Sequence, residues 1–323
     1  MSSPNPVAGI ALALGHQSLD RRPDLRRAGW EALRGMPRLD MLIGTGGEAA
    51  AVRTRDGWAL ASVQAEAAGP VRLQVLLGVD PDGVARCAHL VDPSEPLAGA
   101  GDAGLGRRPD AERIEWVGLR SAGPRMSALD RELFAEALAL VNWHRSHPRC
   151  PRCGSATDVA GLGWWRTCPV DGSEHYPRTD PAVIALLVDH DGNALFGRQV
   201  RWPQHAFSTL AGFVEPGESA EAAVVREISE EVGLRPSGCV YVGSQPWPFP
   251  GSLMLGFQAS VEDVRPSPVV DGIEIAEARW LSRAELTGAC QRGDVRLPGR
   301  LSIAHNLIVR WYGAALPDEW CRW

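Results

Sequence analysis

This 323-residue chain contains no lysine, so all 33 of its basic residues are arginine. Against 39 acidic residues they leave a formal net charge of 33 − 39 = −6. The overall charge is therefore not basic, and it gives no indication of a nucleic-acid or membrane partner. The arginines accompany abundant alanine, glycine and proline, so we attribute them to a compositional habit of the source genome, not to an arginine-based recognition surface.

The chain also lacks an apolar run long enough to cross a bilayer. Its seven cysteines are odd in number and unevenly spread, which argues against a disulfide framework. The apolar run Val7–Leu14 has neither a basic segment before it nor a small-residue cleavage site after it, so we expect a buried strand or short helix there. These absences predict a cytoplasmic protein with no membrane partner.

The length predicts about two domains. Residues 1–122 alternate short apolar runs with turns, and a strand from Val71 to Gly78 is expected to pair with Ala85–Val91; we assign an α+β domain to this region. Residues 123–147 have the pattern of a helix that connects the two halves. A zinc-ribbon-like segment at 148–176 and an α/β domain at 177–323 complete the predicted organisation.

The stretch from Gly212 to Leu234 organises the second half of the chain. Ser219 is a suitable N-cap, Ala220–Glu231 is rich in helix-forming residues, and Gly233 can take the left-handed conformation that ends a helix. The pattern predicts one helix that begins after a turn.

Three carboxylates of this helix are spaced i, i+3 and i+4: Glu227, Glu230 and Glu231. That spacing places them on one face, which we expect to be exposed to solvent. Three like charges so close repel one another unless a cation lies among them, and carboxylate oxygens suit Mg²⁺ or Mn²⁺. The alternative interpretation is a solvated acidic helix surface.

Cysteine spacing indicates a second metal site. Cys150 and Cys153 form one knuckle, and Cys168 begins another in which Asp171 stands where a fourth cysteine belongs. This is the pattern of a structural zinc ribbon, with Asp171 or His175 as the fourth ligand. The alternatives are a redox-active or inert cysteine pair and a ribbon that folds without metal.

The segment from Ser244 to Ser252 alternates three prolines with Trp247 and Phe249. Proline at every second position predicts a rigid extended loop without ladder pairing. Beside a phosphate site, rigid aromatic rings suit stacking on a nucleobase or nicotinamide. The alternative is a stiff linker whose two rings pack into a core.

These motifs resemble those of one family. The stretch Gly212–Leu234 matches the signature of the Nudix hydrolases throughout. Combined with the ribbon, His175–Arg178 and Ser244–Pro250, it is similar to the NADH pyrophosphatase family from about residue 120 onward. The resemblance implies a Nudix fold, an α/β/α sandwich with a mixed sheet. It also implies a homodimer that hydrolyses NAD⁺ or NADH to AMP and nicotinamide mononucleotide.

The resemblance also assigns site residues by position. The backbone carbonyl of Ala211 would bind the catalytic metal together with Glu227, Glu231 and Glu274, and Glu230 would act as a further ligand or as the base. The implied substrate-binding residues are Tyr176, Phe213, Gln245, Pro246, Trp247, Pro248, Phe249, Pro250, Gly251, Ser252 and Ala304.

Three other functions remain open from the sequence. The same chemistry could remove NAD caps from RNA 5′ ends, or a broader Nudix diphosphatase could act on ADP-ribose and similar compounds. A non-catalytic sensor of NAD-like ligands is disfavoured because every carboxylate of the signature is present.

Overall fold

The computed structural model describes residues 12–15, 18–63, 72–94 and 114–321. They form two compact units. The N-terminal unit comprises Leu14–Thr179 and Trp247–Gly251, and the C-terminal unit comprises Asp180–Pro246, Ser252–Trp323 and the residues before Leu14. Most of the segment 7–14 lies outside the described residues, and its last three residues form neither helix nor strand. None of the helices described here combines the length and hydrophobicity that crossing a membrane requires.

The N-terminal unit contains a large mixed sheet and a small ribbon. Its elements are α1 (Pro23–Ala28), β1 (Arg38–Gly44), β2 (Ala49–Thr54), β3 (Gly57–Leu60), β4 (Ser62–Val63), β5 (Leu73–Val79), β6 (Ala85–Val91), β7 (Glu115–Val117), α2 (Leu119–Ala122), α3 (Ala128–Ser146), β8 (Asp158–Ala160), β9 (Trp165–Thr167) and β10 (Glu174–His175). The large sheet has the order β3-β2-β1-β6-β5, with β4 paired to β1 and β7 to β2. Strands β1 and β6 are parallel, and β5 and β6 form the predicted antiparallel hairpin. Val71, where we expected that hairpin to begin, lies outside the described residues.

Helix α3 forms part of the core of the N-terminal unit. The Ser127 hydroxyl caps it by accepting the N–H of Asp130 at 3.0 Å. The helix packs against β5 and β6 and buries Phe134, Leu138 and Val141. Its apolar face therefore holds it on the large sheet.

The C-terminal unit is built on a second mixed sheet. Its elements are β11 (Asp180–Val188), β12 (Ala194–Gln199), β13 (Leu210–Phe213), α4 (Ala220–Val232), β14 (Gly238–Trp247), β15 (Ser252–Ser260), β16 (Ile275–Leu281), α5 (Arg283–Arg292) and α6 (Ile303–Tyr312). The strand order is β14-β15-β11-β12-β16, with β13 paired to β11. Strand β11 runs parallel to β15 and antiparallel to β12 and β13.

Both faces of β11 are buried, because helices cover the sheet on each side. Val183, Ala185 and Leu187 pack in one cluster with residues of α4. Ile184, Leu186 and Val188 pack in the other cluster with residues of α5 and α6. Side chains of a strand alternate between faces, which explains the uninterrupted apolar sequence of β11. The predicted α/β/α sandwich is confirmed.

One sequence-based expectation needs correction. The predicted loop from Ser244 was wrong, because β14 continues to Trp247. Among the described residues β14 is an edge strand, where the missing N–H of Pro246 need not be paired. Helix α6 begins at Ile303, because the Ser302 hydroxyl caps it by accepting the N–H of Ala304. We did not anticipate α5, although Ser282 and Glu285 form a capping box at its start.

Candidate active site

The predicted helix of the carboxylate stretch is confirmed as α4. The Ser219 hydroxyl accepts the N–H of Ala222 at 3.1 Å, and Gly233 ends the helix in the left-handed conformation, with φ 67°. Both helix ends thus follow from local chemistry.

The three glutamates of α4 differ greatly in burial. The side chain of Glu230 is 60% exposed and that of Glu227 is 13% exposed. Glu231 is only 2% exposed, so our expectation that the whole acidic face meets solvent was wrong. Glu231 follows Val224 by seven residues and Ile228 by three, which places it on the stripe that packs toward the sheet.

Glu231 is a buried carboxyl with unsatisfied oxygens. Burial raises its pKa to about 8, and the nearby charges of Glu227, Glu274 and Asp271 add to that effect. Neither oxygen has a hydrogen-bond partner among the described residues. The Ala211 amide lies beside it and opposes the rise in pKa without reaching hydrogen-bond geometry. A buried carboxylate in this state is stabilised by a cation.

Arg226 holds the more exposed carboxylates in place. It forms a two-pronged ion pair with Glu218 at 2.9 Å for both bonds, and its Nη1 donates to Glu227 and Glu230, each at 2.9 Å. Its Nη2 also donates to the Phe213 carbonyl at 2.8 Å. The guanidinium therefore ties α4 to the end of β13 and sets the direction of two carboxylates.

Strand β13 approaches α4 closely at Gly212. A Cβ atom on Gly212 would lie 1.9 Å from the Cδ atom of Glu227, so only glycine leaves room for that carboxylate. The preceding residue, Ala211, pairs with Ile184 of β11. The glycine thus explains how the Glu227 side chain lies against the strand that carries Ala211.

Glu274 reaches the cluster from the loop that precedes β16. It is exposed, and its charge raises the pKa of both Glu227 and Glu231. Beside it lies Asp271, which the sequence analysis missed. The Asp271 carboxylate accepts the backbone N–H groups of Ile273, Glu274 and Ile275. The Asp271-Gly272 pair was a possible turn signal in the sequence.

This arrangement fits a divalent cation. The orphaned Glu231 carboxylate, the space for Glu227 beside Gly212 and the exposed Glu274 supply hard oxygen ligands of the kind that Mg²⁺ and Mn²⁺ prefer. The oxygen atoms of these carboxylates lie farther apart than the ligand atoms of the cysteine cluster described below, which lie within 4.8 Å of one another. Within the described ranges, no second group of possible metal ligands is as close together. Two of the α4 glutamates, Glu227 and Glu230, form ion pairs with Arg226.

The proline-aromatic segment lies in the N-terminal unit from Trp247 onward. Trp247 and Phe249 meet edge to face, with ring centroids 4.9 Å apart. The Arg120 guanidinium lies 4.3 Å from the Phe249 centroid and 5.4 Å from that of Trp247. Asn142 donates to the carbonyl of Pro248 at 3.0 Å. A groove of roughly 450 Å³ runs past Arg120, Asn142 and Phe249. No sequence motif indicated Arg120 or Asn142.

The other predicted substrate-binding residues differ in accessibility. Tyr176 of the N-terminal unit is 59% exposed, and Phe213 of the C-terminal unit is 60% exposed, so both rings can meet a ligand. Gln245 is fully buried and donates to the Leu301 carbonyl at 2.5 Å. Ala304 is buried in the first turn of α6. The remaining members are half-buried Pro246, Gly251 and Ser252, buried Pro248 and exposed Pro250.

Cys150, Cys153, Cys168 and Asp171 come together in the ribbon of the N-terminal unit. Asp171 accepts hydrogen bonds from the Ser173 hydroxyl and amide, which lower its pKa and keep it ionised. His175 does not join the cluster; its Nε2 lies 2.9 Å from the Ser173 hydroxyl. Three sulfurs and one carboxylate oxygen are a donor set that fits a structural zinc ion, and Asp171 is the candidate for the fourth ligand.

Three family models match the chain in succession. They are an NADH pyrophosphatase-like rudimentary NUDIX domain at residues 36–143, an NADH pyrophosphatase zinc ribbon domain at 145–176 and a NUDIX domain at 178–301. The zinc-ribbon match agrees with the cysteine cluster.

Named relatives show the same similarity. The NAD-capped RNA hydrolase NudC of Mycobacterium bovis (strain BCG / Pasteur 1173P2) is 45% identical over 205 residues, which are 61% of this chain and 65% of that protein. The human NAD-capped RNA hydrolase NUDT12 is 40% identical over 191 residues, 55% of this chain and 41% of that protein. The chain thus covers less than two thirds of either relative. A NUDIX hydrolase structure from Nitrosomonas europaea matches 51% of this chain and 90% of its own, with 19% identity and a TM-score of 0.38.

Proposed function

This chain belongs to the NADH pyrophosphatase family of the Nudix hydrolases, and from that premise we propose that it hydrolyses the pyrophosphate bond of NAD(H). The products are AMP and nicotinamide mononucleotide. The observation that carries the proposal is the buried, unpartnered Glu231 carboxylate beside Glu227 and Glu274. A buried carboxylate without a partner destabilises the fold unless a cation neutralises it, so its presence indicates a functional site.

The proposed metal ligands and the proposed base come from α4, β13 and the loop before β16. Glu227, Glu231, Glu274 and the Ala211 carbonyl hold Mg²⁺ or Mn²⁺. When bound, that ion neutralises the charge on the diphosphate and orients the attacking water. Glu230 is the most exposed of the three clustered glutamates of α4, and Arg226 donates a hydrogen bond to it at 2.9 Å. It accepts the proton from water or supplies a further ligand.

Aromatic surfaces bind the nucleoside halves of the substrate. Tyr176 and Phe213 offer exposed rings, and Trp247 and Phe249 offer rings within the segment 245–252, with Arg120 already over one face of Phe249. Each base that stacks on such a ring contributes about 1–3 kcal/mol. The buried Gln245 and Ala304 act through their backbone or through packing.

A second candidate function is removal of NAD caps from RNA. The names of the mycobacterial and human relatives favour it, and the reacting bond is the same as in free NAD. A broader diphosphatase that accepts ADP-ribose is the third candidate. We also propose a cytoplasmic location and a homodimer, which analytical ultracentrifugation would check.

Substrate profiling tests these proposals. The purified full chain is assayed with Mg²⁺ or Mn²⁺ on NADH, NAD⁺, ADP-ribose and NAD-capped RNA, with product identification. We expect NADH or NAD⁺ to give AMP and nicotinamide mononucleotide, and we expect Glu231→Gln to remove nearly all hydrolysis. Glu221→Gln, an exposed change in the first turn of the same helix, is the matched control. Near-normal turnover by folded Glu231→Gln at saturating Mg²⁺ would contradict the assignment.

A further inference from the structure

The loop between β15 and β16 is fastened to the C-terminal end of α4. The Val269 N–H donates to the Val232 carbonyl at 2.8 Å, and the Asp271 N–H donates to the Glu231 carbonyl at 3.3 Å. Gly233 packs against the same loop: a Cβ atom on it would lie 3.2 Å from the Cβ of Val269. The loop that carries Glu274 and the helix that carries Glu231 are therefore joined through their backbones.

Within this loop, the Asp271 side chain accepts hydrogen bonds from three successive backbone amides around Glu274. Oδ1 of Asp271 accepts the N–H of Ile273 at 3.2 Å, of Glu274 at 3.2 Å and of Ile275 at 2.8 Å. Oδ2 also accepts the Glu274 N–H, at 3.1 Å. Packing contributes little at the tip of this turn, because Ile273 is 81% exposed and Glu274 is exposed as well, whereas the following Ile275 is buried in the core. Two backbone bonds also hold the turn, since the Gly272 N–H donates to the Ile275 carbonyl at 3.1 Å and the Val200 N–H donates to the Glu274 carbonyl at 2.9 Å. Asp271 is the side chain that accepts the remaining amides of the turn.

Electrostatic repulsion acts against this arrangement. Glu227 and Glu274 interact as like charges, Asp271 adds a further negative charge, and Glu231 joins them when it ionises to bind a metal. Without a restraint, an exposed loop relieves that repulsion by moving Glu274 away from α4, and each metal-binding event must then bring it back. A restraint on the loop reduces this ordering cost.

We propose that Asp271 is a positioning residue that holds Glu274 against the carboxylates of α4 and so preorganises the metal site. The inference rests on the proposed function of that site. Asp271 acts through hydrogen bonds to the backbone, and Glu274 contacts the metal. Side chains that orient metal ligands in this way change metal affinity by about 10- to 100-fold when they are removed.

Two substitutions separate this role from a role of the Asp271 charge. Asp271→Ala removes both the acceptor oxygens and the charge. Asp271→Asn removes the charge and keeps Oδ1, the oxygen that accepts all three amides, while an NH2 group replaces Oδ2 and its second bond to the Glu274 N–H. Asp263→Ala, an exposed aspartate earlier in the same loop, is the matched control. If Asp271→Ala does not fold, Asp271→Ser takes its place as the variant with weakened acceptors.

The experiment measures Mn²⁺ affinity by electron paramagnetic resonance and the Mn²⁺ dependence of NADH hydrolysis. For Asp271→Ala we expect about 10-fold weaker Mn²⁺ binding, an unchanged KM for NADH at saturating Mn²⁺, and recovery of kcat as Mn²⁺ is raised. The Mn²⁺ affinity of Asp271→Asn should stay within about threefold of that of the wild type, and the Mn²⁺ affinity of Asp263→Ala should equal that of the wild type.

Two results would overturn the inference. One is normal Mn²⁺ affinity in folded Asp271→Ala, and the other is damage in Asp271→Asn as large as in Asp271→Ala, which would assign the effect to charge. Glu231→Gln, measured in parallel, keeps the two proposals apart. If Glu231→Gln hydrolyses NADH normally, the active-site assignment itself fails; if it is inactive and Asp271→Ala is normal, only the positioning role fails.

Discussion

At the scale of single residues, neighbouring carboxylates in one helix have different environments. Glu230 and Glu231 are adjacent in sequence, yet one side chain is 60% exposed and the other residue is 2% exposed. One step along a helix turns the side-chain direction by about 100°. Glu230 therefore faces solvent, whereas Glu231 faces the sheet. The exposed carboxylate can exchange protons with solvent, and the buried one is suited to hold a cation.

Gly212 provides a direct test of this geometry. In Gly212→Ala the new Cβ atom would displace the Glu227 carboxylate, the far end of a flexible side chain. We expect hydrolysis to fall about 10- to 100-fold, with a loss of unfolding free energy of no more than about 1 kcal/mol. Turnover and chemical unfolding of the variant check this.

Gly238→Ala is the matched control for that change, because a Cβ atom on Gly238 meets no atom within 4 Å. It should keep wild-type activity. A Gly212→Ala enzyme that is as active as this control would show that the position of Glu227 is unimportant for the reaction.

At the scale of secondary-structure elements, α3 is tied to the ribbon through a buried histidine. His144 Nε2 donates to the Gly163 carbonyl at 2.8 Å, and its Nδ1 accepts from Arg166 at 3.1 Å. Arg166 in turn donates to Thr157 in the ribbon. Burial lowers the pKa of His144 to about 4, and the Arg166 charge contributes to the decrease while the Gly163 bond opposes it. Protonation therefore requires this link to break.

The lowered pKa gives stability a defined pH dependence. Below pH 6.5 the unfolded chain binds a proton at this histidine and the folded chain does not, so stability is complete above pH 6.5 and is lost as the pH falls toward 4. The total loss from this residue is of order 3 kcal/mol. Urea unfolding, followed by tryptophan fluorescence between pH 4 and 7, would measure it.

His144→Gln should have lower stability at pH 7 than the wild type and a shallower decrease toward pH 4. His190→Gln, a change at an exposed histidine, should keep the wild-type slope. An identical slope in His144→Gln and the wild type would contradict the buried neutral state of His144.

At the scale of the whole molecule, each unit has its own mixed sheet and its own type of metal site. The C-terminal unit supplies carboxylates on α4 and the loop before β16, which suit exchange of a hard ion and substrate. The N-terminal unit supplies three sulfurs and Asp171, the four ligands that a structural zinc site needs. This difference supports a structural role for the zinc site and the proposed catalytic role of the carboxylate cluster.

The aspartate in the zinc site gives a prediction for the full chain. In Asp171→Cys a soft thiolate replaces a harder carboxylate, so we expect slower loss of zinc to a chelator with an unchanged kcat. Metal analysis and a colorimetric zinc-release assay would measure this. Cys153→Ser, which removes a thiolate, should lose zinc faster. A wild-type protein that contains no zinc and has three freely reacting thiols would contradict the site.

Local chemistry made much of this protein predictable from its sequence. The ends of α4 follow from Ser219 and Gly233, the hairpin of β5 and β6 from its turn, and the zinc cluster from cysteine spacing, because each depends on residues close together in the chain. The sandwich followed because a strand with two apolar faces requires helices on both sides.

Long-range contacts decided the rest. Glu231 is buried because a sheet lies against α4, and Asp271 meets the cluster because its loop bonds to the helix about forty residues earlier. Pro246 is tolerated because β14 is an edge strand within the part of the chain that the structure describes. Spacing along the chain reports which side chains share a face. Only the tertiary structure determines what that face packs against, and with it the burial and the pKa of each group.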